Sequence, residues 1–262
     1  MFLLVCHSDV DQLDDQCLTK AERRLLRKKA KQAKIEKRLL ADTPILTKIN
    51  PRTKAQEEVF TSFYKDRNLI LHGCAGTGKT FIALYLALDS VLTGDSPKPI
   101  VIIRSVVPTR DIGFLPGSDK QKSEVYEAPY NGICHELVEN KHQAYHWLKA
   151  HNYIQFSITS FLRGLTFRDN IIIIDECQNM SDHEINTIMT RVGEGCRVIF
   201  CGDFTQKDYT REGSGMPNLL SIAKNMKSFD VVKFDKNDIV RSGFVRDYLM
   251  TRIDLEERGV LV

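Results

Sequence analysis

The sequence predicts an α/β protein built on a doubly wound, mainly parallel sheet. Three observations point there. Six short apolar runs (68–72, 99–103, 153–158, 171–175, 197–203 and 229–234) are filled with aliphatic residues rather than alternating with polar ones, as in strands buried on both faces. Helical patterns lie between most of them, at about 79–92, 130–149, 181–192 and 215–227, with another at 238–250. Strand and helix in alternation specify a sheet covered by helices on both sides. The third observation is a glycine-rich turn, HGCAGTGKT at 72–80, set between the first run and the first of these helices.

Length and composition bound what such a sheet can belong to. The 262 residues suffice for one large domain, or one domain plus an extension. With 42% apolar and 27% charged residues, the composition is ordinary for a soluble globular protein. No stretch approaches the roughly 18–20 apolar residues of a membrane helix, so no membrane partner is expected. The opening MFLLVCHSDVD lacks a basic n-region and a small-residue cleavage site, and is expected to be a strand or helix start rather than a signal peptide. The seven cysteines are single, with no CxxC pair, which suggests reduced thiols in a cytoplasmic setting. His142, His146 and His151 lie near one another, but no second ligand cluster accompanies them, so zinc is not expected.

Charge divides the chain. Of the net +3, residues 19–40 contribute +8 and residues 1–18 contribute −4, leaving −1 for 41–262. The basic stretch TKAERRLLRKKAKQAKIEKRLL has no Gly or Pro and opens on Thr19 with Glu22 in capping-box position. It reads as a helix, either solvated and packed through Leu25, Leu26, Ile35 and Leu39, or a contact surface for a phosphate backbone. Asp42, Thr43 and Pro44 stop it. The expected organisation is therefore an N-terminal extension over 1–44 and an α/β domain over 45–262.

The glycine-rich turn fits G-x-x-x-x-G-K-[ST] as Gly73, Gly78, Lys79 and Thr80, and strand before and helix after give it the required setting. Gly73, Gly76 and Gly78 let the backbone of Gly73–Cys74–Ala75–Gly76–Thr77–Gly78 curl so that its N–H groups surround phosphate oxygens. The helix behind aims its positive end at the same place. Lys79 supplies a cation for the β- and γ-phosphates, and Thr80 a hydroxyl for Mg²⁺. ATP and Mg²⁺ are the expected cofactors.

The second half of such a site is at IIIIDECQNM, 171–180. Asp175 ends the strand, where open α/β sheets bind ligands, and is placed to hold Mg²⁺. Glu176 follows and is placed to orient and deprotonate the attacking water. That carboxylate favours hydrolysis, whereas a small-molecule kinase would gain nothing from activating water. A third strand end, VIFCGDFTQKD at 198–208, puts Gln206 beside the expected γ-phosphate, where it could register whether that group is present.

GCAGTGKT, DECQN and GDFTQKD in this order resemble the PhoH-like ATPases, relatives of the first motor domain of superfamily 1 helicases. NPRTKAQEEVF (50–60), RSVVPTRDIGFLPGSDKQK with APY (104–130), FLRGLTF (161–167) and NDIVRSGFV (237–245) extend the resemblance over about 45–250. It implies a RecA-like P-loop NTPase domain in which Gln56 reads the adenine edge and Arg241 belongs to a closing arginine motif. It also implies assembly as a ring, commonly a hexamer. Only 21 residues follow Arg241, too few for a second RecA-like domain, so the arginine that a γ-phosphate needs is expected from Arg241 itself or from a neighbouring subunit, with Arg163 and Arg110 as candidates. Arg241 could instead pair with Asp238.

The resemblance further implies a single-stranded nucleic-acid partner, RNA or DNA, with RNA favoured. Arg104, Thr109, Arg110, Lys120 and Lys122 would meet phosphates, with Phe114, Tyr126 and Tyr130 as stacking faces. The same residues could pack an oligomer interface. The functional expectation is an oligomeric ATPase that binds or remodels single-stranded nucleic acid. The alternative is an ATP-dependent oligomeric switch acting on a protein client.

Overall fold

The structure, a computed structural model, describes residues 43–94, 97–105, 119–141, 143–162, 164–203 and 214–260, without the side chains of 119–123. Six strands form one sheet: β1 (Asn68–Gly73), β2 (Ile100–Arg104), β3 (Ile154–Ile158), β4 (Ile171–Asp175), β5 (Arg197–Gly202) and β6 (Phe229–Phe234). Their order across the sheet is β3-β2-β4-β5-β1-β6, and every neighbouring pair is parallel. The connecting helices are α1 (Lys54–Tyr64), α2 (Lys79–Thr93), α3 (Asp119–Leu137), α4 (Ala144–Ala150), α5 (Asp182–Met189), α6 (Met216–Lys224) and α7 (Gly243–Glu257). No helix among the described residues is long and apolar enough to cross a membrane.

The flush apolar runs have a simple cause. Side chains alternate between two cores, one on each face of the sheet. In β4, Ile171 and Ile173 join Leu69, Leu71 and the residues of α1 to α4. Ile172 and Ile174 join Ile70, Phe200 and the residues of α5 and α6. All four isoleucines are at most 1% exposed, and each contributes about 1.5–3 kcal/mol of burial. Parallel register then aligns the strand ends: Arg104 lies opposite Asp175, His72 opposite Gly202, and Gly73 opposite Phe234. The ends of β1, β2, β4, β5 and β6 form one continuous edge.

Three elements differ from expectation. The helix read at 130–149 is two helices, and the first begins at Asp119, well ahead of the expected start, with Pro129 in its interior. An interior proline costs about 3 kcal/mol, but contacts on both sides of it hold this helix. Glu127 accepts from the Tyr145 hydroxyl (2.8 Å) and Lys149 Nζ (2.6 Å), and Tyr130 is tied to β4. The break after Leu137 is set by distant chain. Thr47 N–H donates to Leu137 O at 2.8 Å, and Glu139 N–H donates to Ile45 O at 3.0 Å. The second difference is α1, which the strand–helix reading did not include. It is capped by Thr53, whose hydroxyl accepts from Gln56 N–H, and it buries Ala55, Val59 and Phe63 at helical spacing. The last helix runs 243–257 rather than 238–250, because a capping box between Asp235 and Asp238 makes a separate short turn first.

At the β3 edge, Trp147 of α4 stacks on His151 with ring centroids 3.8 Å apart and on Tyr153 at 5.8 Å. At the other end of the chain α7 buries no residue fully, and Phe244 is 84% exposed.

The end of β1 has two measurable consequences. Gly73 has φ of 125°, and a Cβ there would collide with the Phe234 carbonyl oxygen. Gly73→Ala is expected to destabilise the fold by about 2–4 kcal/mol in urea unfolding, chiefly through the β1–β6 seam. His72, just before it, is 8% exposed. Burial first, then Lys233, Lys79 and Lys224, push its imidazole down to about 4. Between that value and the ordinary pKa of about 6.5 the unfolded chain binds the proton and the folded chain does not, so stability falls as pH drops through this window. The urea midpoint of the wild type should decline from pH 7 to pH 4.5 more steeply than that of His72→Gln.

Candidate nucleotide site

The turn after β1 is a left-handed curl. Gly76 and Gly78 have φ of 76° and 82°, a region that side-chain-bearing residues enter at a cost. Gly78 is the N-cap of α2 and offers no side-chain cap, so the first N–H groups of α2 are free of one, as at anion-binding helix starts. Lys79 is only 4% exposed. Its ammonium donates to Cys74 O at 2.7 Å and Thr77 Oγ1 at 3.1 Å, and pairs with Asp203 Oδ1 at 2.6 Å. The end of β5 is thereby tied to the turn after β1.

Gln56, 4% exposed, braces the turn from α1. Its Nε2 donates to Thr77 O at 3.1 Å, while Oε1 accepts from Arg52 N–H at 2.8 Å. Each end of the amide keeps capacity for one further bond.

Across the edge, the Thr80 hydroxyl donates to Asp175 Oδ1 at 2.7 Å, and the Tyr130 hydroxyl donates to Asp175 Oδ2 at 2.8 Å. Asp175 is 5% exposed and Tyr130 fully buried. Burial and the Asp175 charge push the Tyr130 phenol far above its usual range, so it is a permanent donor. Glu176 sits in the left-handed region at φ of 54°. Its Oε2 accepts from Gln178 Nε2 at 2.6 Å, and its Oε1 lies 3.5 Å from the Arg104 guanidinium. Burial and then Asp175 raise its carboxyl pKa, with Gln178 and Arg104 opposing. The Gln178 Oε1 accepts from Asp203 N–H at 3.2 Å.

These groups line a cleft of about 430 Å³, whose walls include Gln56, Lys79, Thr80, Glu176, Asp203 and Arg241. That volume falls within the roughly 300–1,000 Å³ of small-ligand sites. Val240 N–H donates to Gly76 O at 3.1 Å, which brings Arg241 to the turn. The Arg241 Cγ lies 3.2 Å from where a Gly76 Cβ would be. Among the described residues no carboxylate pairs with Arg241. The Asp238 carboxylate instead caps its own turn through Asp235 N–H at 2.9 Å.

The structure therefore brings together Gln56, the turn 73–78, Lys79, Thr80, Asp175, Glu176 and Arg241. Gln206, Thr109, Arg110, Phe114 and Arg163 lie outside the described residues, as do the side chains of Lys120 and Lys122 and the basic segment 19–40. One expectation is corrected: Tyr130 cannot present a face to a base, because it is fully buried with its hydroxyl on Asp175. The Arg104 guanidinium lies 3.5 Å from Glu176 Oε1. Sequence reasoning also missed Gln178 and the Lys79–Asp203 pair. Gln178 was in view as part of DECQN, but nothing in that spacing shows what its amide meets.

The chain matches the family of PhoH-like proteins over residues 48–251. It belongs to that family. A PhoH-like protein of Bacillus subtilis (strain 168) is 30% identical over 201 residues, covering 75% of this chain and 61% of the relative. Protein PhoH2 of the same organism is 34% identical over 178 residues, covering 66% and 40%. The chain thus spans about three-fifths or less of the length of these relatives. Among solved structures, the large terminase of a thermophilic bacteriophage aligns at 14% identity with a TM-score of 0.47, over 76% of this chain and 50% of that one. Membership of the PhoH-like family, with a parallel sheet whose first strand leads through the glycine-rich turn into α2, gives the chain the α/β fold of a P-loop NTPase.

The Tyr130–Asp175 bond yields a stability prediction. Tyr130→Phe removes the donor but keeps the ring, leaving one oxygen of a buried carboxylate without a partner. A loss of about 1–3 kcal/mol is expected in urea unfolding, with the helical circular dichroism of the folded state unchanged.

Proposed function

We propose that this PhoH-like chain binds and hydrolyses ATP, and couples hydrolysis to binding or remodelling of single-stranded nucleic acid, RNA in preference to DNA, as a cytoplasmic ring-forming oligomer. The observation that carries the hydrolytic part is the convergence of Lys79, Thr80 and Glu176 on one cleft, with Asp175 bonded to Thr80 at its wall.

The cleft fits a nucleoside triphosphate. The backbone of Gly73 to Gly78 and the start of α2 form the phosphate cradle. Lys79 Nζ, held among three oxygens at its mouth, exchanges part of that set for phosphate oxygens. Gln56 uses its remaining donor and acceptor on the adenine edge. The donor set also fits Mg²⁺: Thr80 Oγ1 and Asp175 Oδ1 are hard oxygens 2.7 Å apart. When bound, that ion would neutralise charge on the β- and γ-phosphates. Glu176, directly after Asp175 on the cleft wall, orients water and accepts its proton as oxygen attacks the γ-phosphorus. Gln206 senses the γ-phosphate. Arg241 stabilises the leaving charge from the cleft rim, alone or with an arginine of a neighbouring copy.

The test is phosphate release from ATP and Mg²⁺, with and without single-stranded RNA and DNA oligonucleotides. Lys79→Ala and Glu176→Gln are each expected to lower kcat by about 10²–10⁴-fold, Glu176→Gln with ATP binding retained. Stimulation by RNA above DNA is expected in the wild type. Hydrolysis indifferent to both nucleic acids would favour a switch acting on a protein client. No hydrolysis by the wild type would overturn the enzymatic reading.

A further inference from the structure

We propose that Gln178 is a positioning residue for hydrolysis: one end of its amide aims Glu176, and the other ties the same turn to Asp203, the residue paired with Lys79. The inference deepens the hydrolytic reading above and rests on it.

Gln178 lies on the single turn Cys177–Asn179 that follows Glu176. Nε2 donates to Glu176 Oε2 at 2.6 Å, and Oε1 accepts from Asp203 N–H at 3.2 Å. The two partners fix the amide's orientation. Turned over, it would set an acceptor against a carboxylate and a donor against an N–H. Asp203 Oδ1 then reaches Lys79 Nζ at 2.6 Å. A continuous chain of contacts therefore runs from the proposed base, through the end of β5, to the phosphate-binding lysine.

The base needs such a guide. Glu176 has a left-handed backbone, held by the Asn179 N–H bond to Glu176 O at 3.0 Å and by burial of Cys177. Backbone strain of this kind persists only where surroundings over-determine it. The Glu176 side chain, however, has two competing donors: Gln178 on Oε2, and Arg104 at 3.5 Å from Oε1. Loss of the short, charge-assisted bond from Gln178 leaves the carboxylate free to close on Arg104 and turn away from the cleft. Glutamine carries two donors and an acceptor on one planar amide at this reach, and asparagine is one methylene short. Gln178→Met preserves length and removes both bonds. Gln178→Glu keeps an acceptor for Asp203 N–H and removes the donor to Glu176.

The experiment combines steady-state hydrolysis, binding of a non-hydrolysable ATP analogue and hydrogen exchange at the Asp203 amide in the full chain. Both variants should lose kcat on the order of 10–100-fold with KM and analogue affinity within about threefold. In a Glu176→Gln background, Gln178→Met should change the residual rate by less than about twofold, because the group it guides is already gone. Asp203 amide exchange should accelerate by about tenfold in Gln178→Met and stay slow in Gln178→Glu, which separates the two ends of the bridge and reports on folded protein. An unchanged kcat, a loss confined to KM, or a full further loss in the Glu176→Gln background would overturn the assignment. If the wild type does not hydrolyse ATP, the functional reading fails, and positioning for hydrolysis fails with it. Amide exchange still decides the bridge: equal Asp203 rates in wild type and Gln178→Met would exclude the contact itself.

Discussion

A carboxylate withdrawn from water has to be met by donors on each oxygen or lose its charge. Asp175 is in that position, and its two donors come from opposite directions. Thr80 reaches it from the helix behind the glycine-rich turn, and Tyr130 from a helix on the far side of the β2 connection. Satisfying this one group therefore fixes where α2 and α3 sit against the end of β4. The phosphate cradle, the proposed metal oxygens and the α3 wall of the cleft all take their places from it. Parallel register does the rest, because it brings the ends of β1, β4 and β5 level with one another.

The parts of the fold that were legible in the sequence are those whose cause is local. All six strands were visible: β1, β2, β4 and β5 are buried along almost their whole length, and the edge strands β3 and β6 still carry enough apolar residues to pack against the sheet's helices. Lys79, Thr80, Asp175 and Glu176 were legible as a set because Asp175 ends such a strand and Glu176 follows it, while Lys79 and Thr80 open the helix after the glycine-rich turn. What was not legible depends on distant chain. The division between α3 and α4 is imposed by residues 45–47, and the helix around Pro129 by contacts to Tyr145, Lys149 and Asp175. Tyr130 read as a stacking face because an aromatic beside a basic loop does resemble one. Only the direction of α3 turns it inward. Gln178 shows the same limit at smaller scale: its neighbours in sequence identify the turn, while one of its bonding partners is a backbone N–H 25 positions later.

The site is also organised around competition for oxygen atoms. Lys79 already has three oxygens around it, and Glu176 is contested by an amide and a guanidinium. Such an arrangement keeps charged groups satisfied in the folded chain while leaving them able to exchange partners at modest cost. A phosphate group entering the cleft displaces contacts instead of creating them from unsatisfied groups. The energetic difference between the two arrangements is therefore smaller than a count of new bonds would suggest.

The single tryptophan of the chain gives the molecule a built-in optical reporter of unusual locality. Trp147 is sandwiched with His151 and Tyr153 at the β3 edge, away from the residues that line the cleft. Its emission is thus a property of one corner of the sheet. Light from this residue follows the detachment of α4 and β3, whereas far-ultraviolet signals follow the whole sheet. A comparison of the two shows whether the outer strand leaves with the rest of the domain or ahead of it.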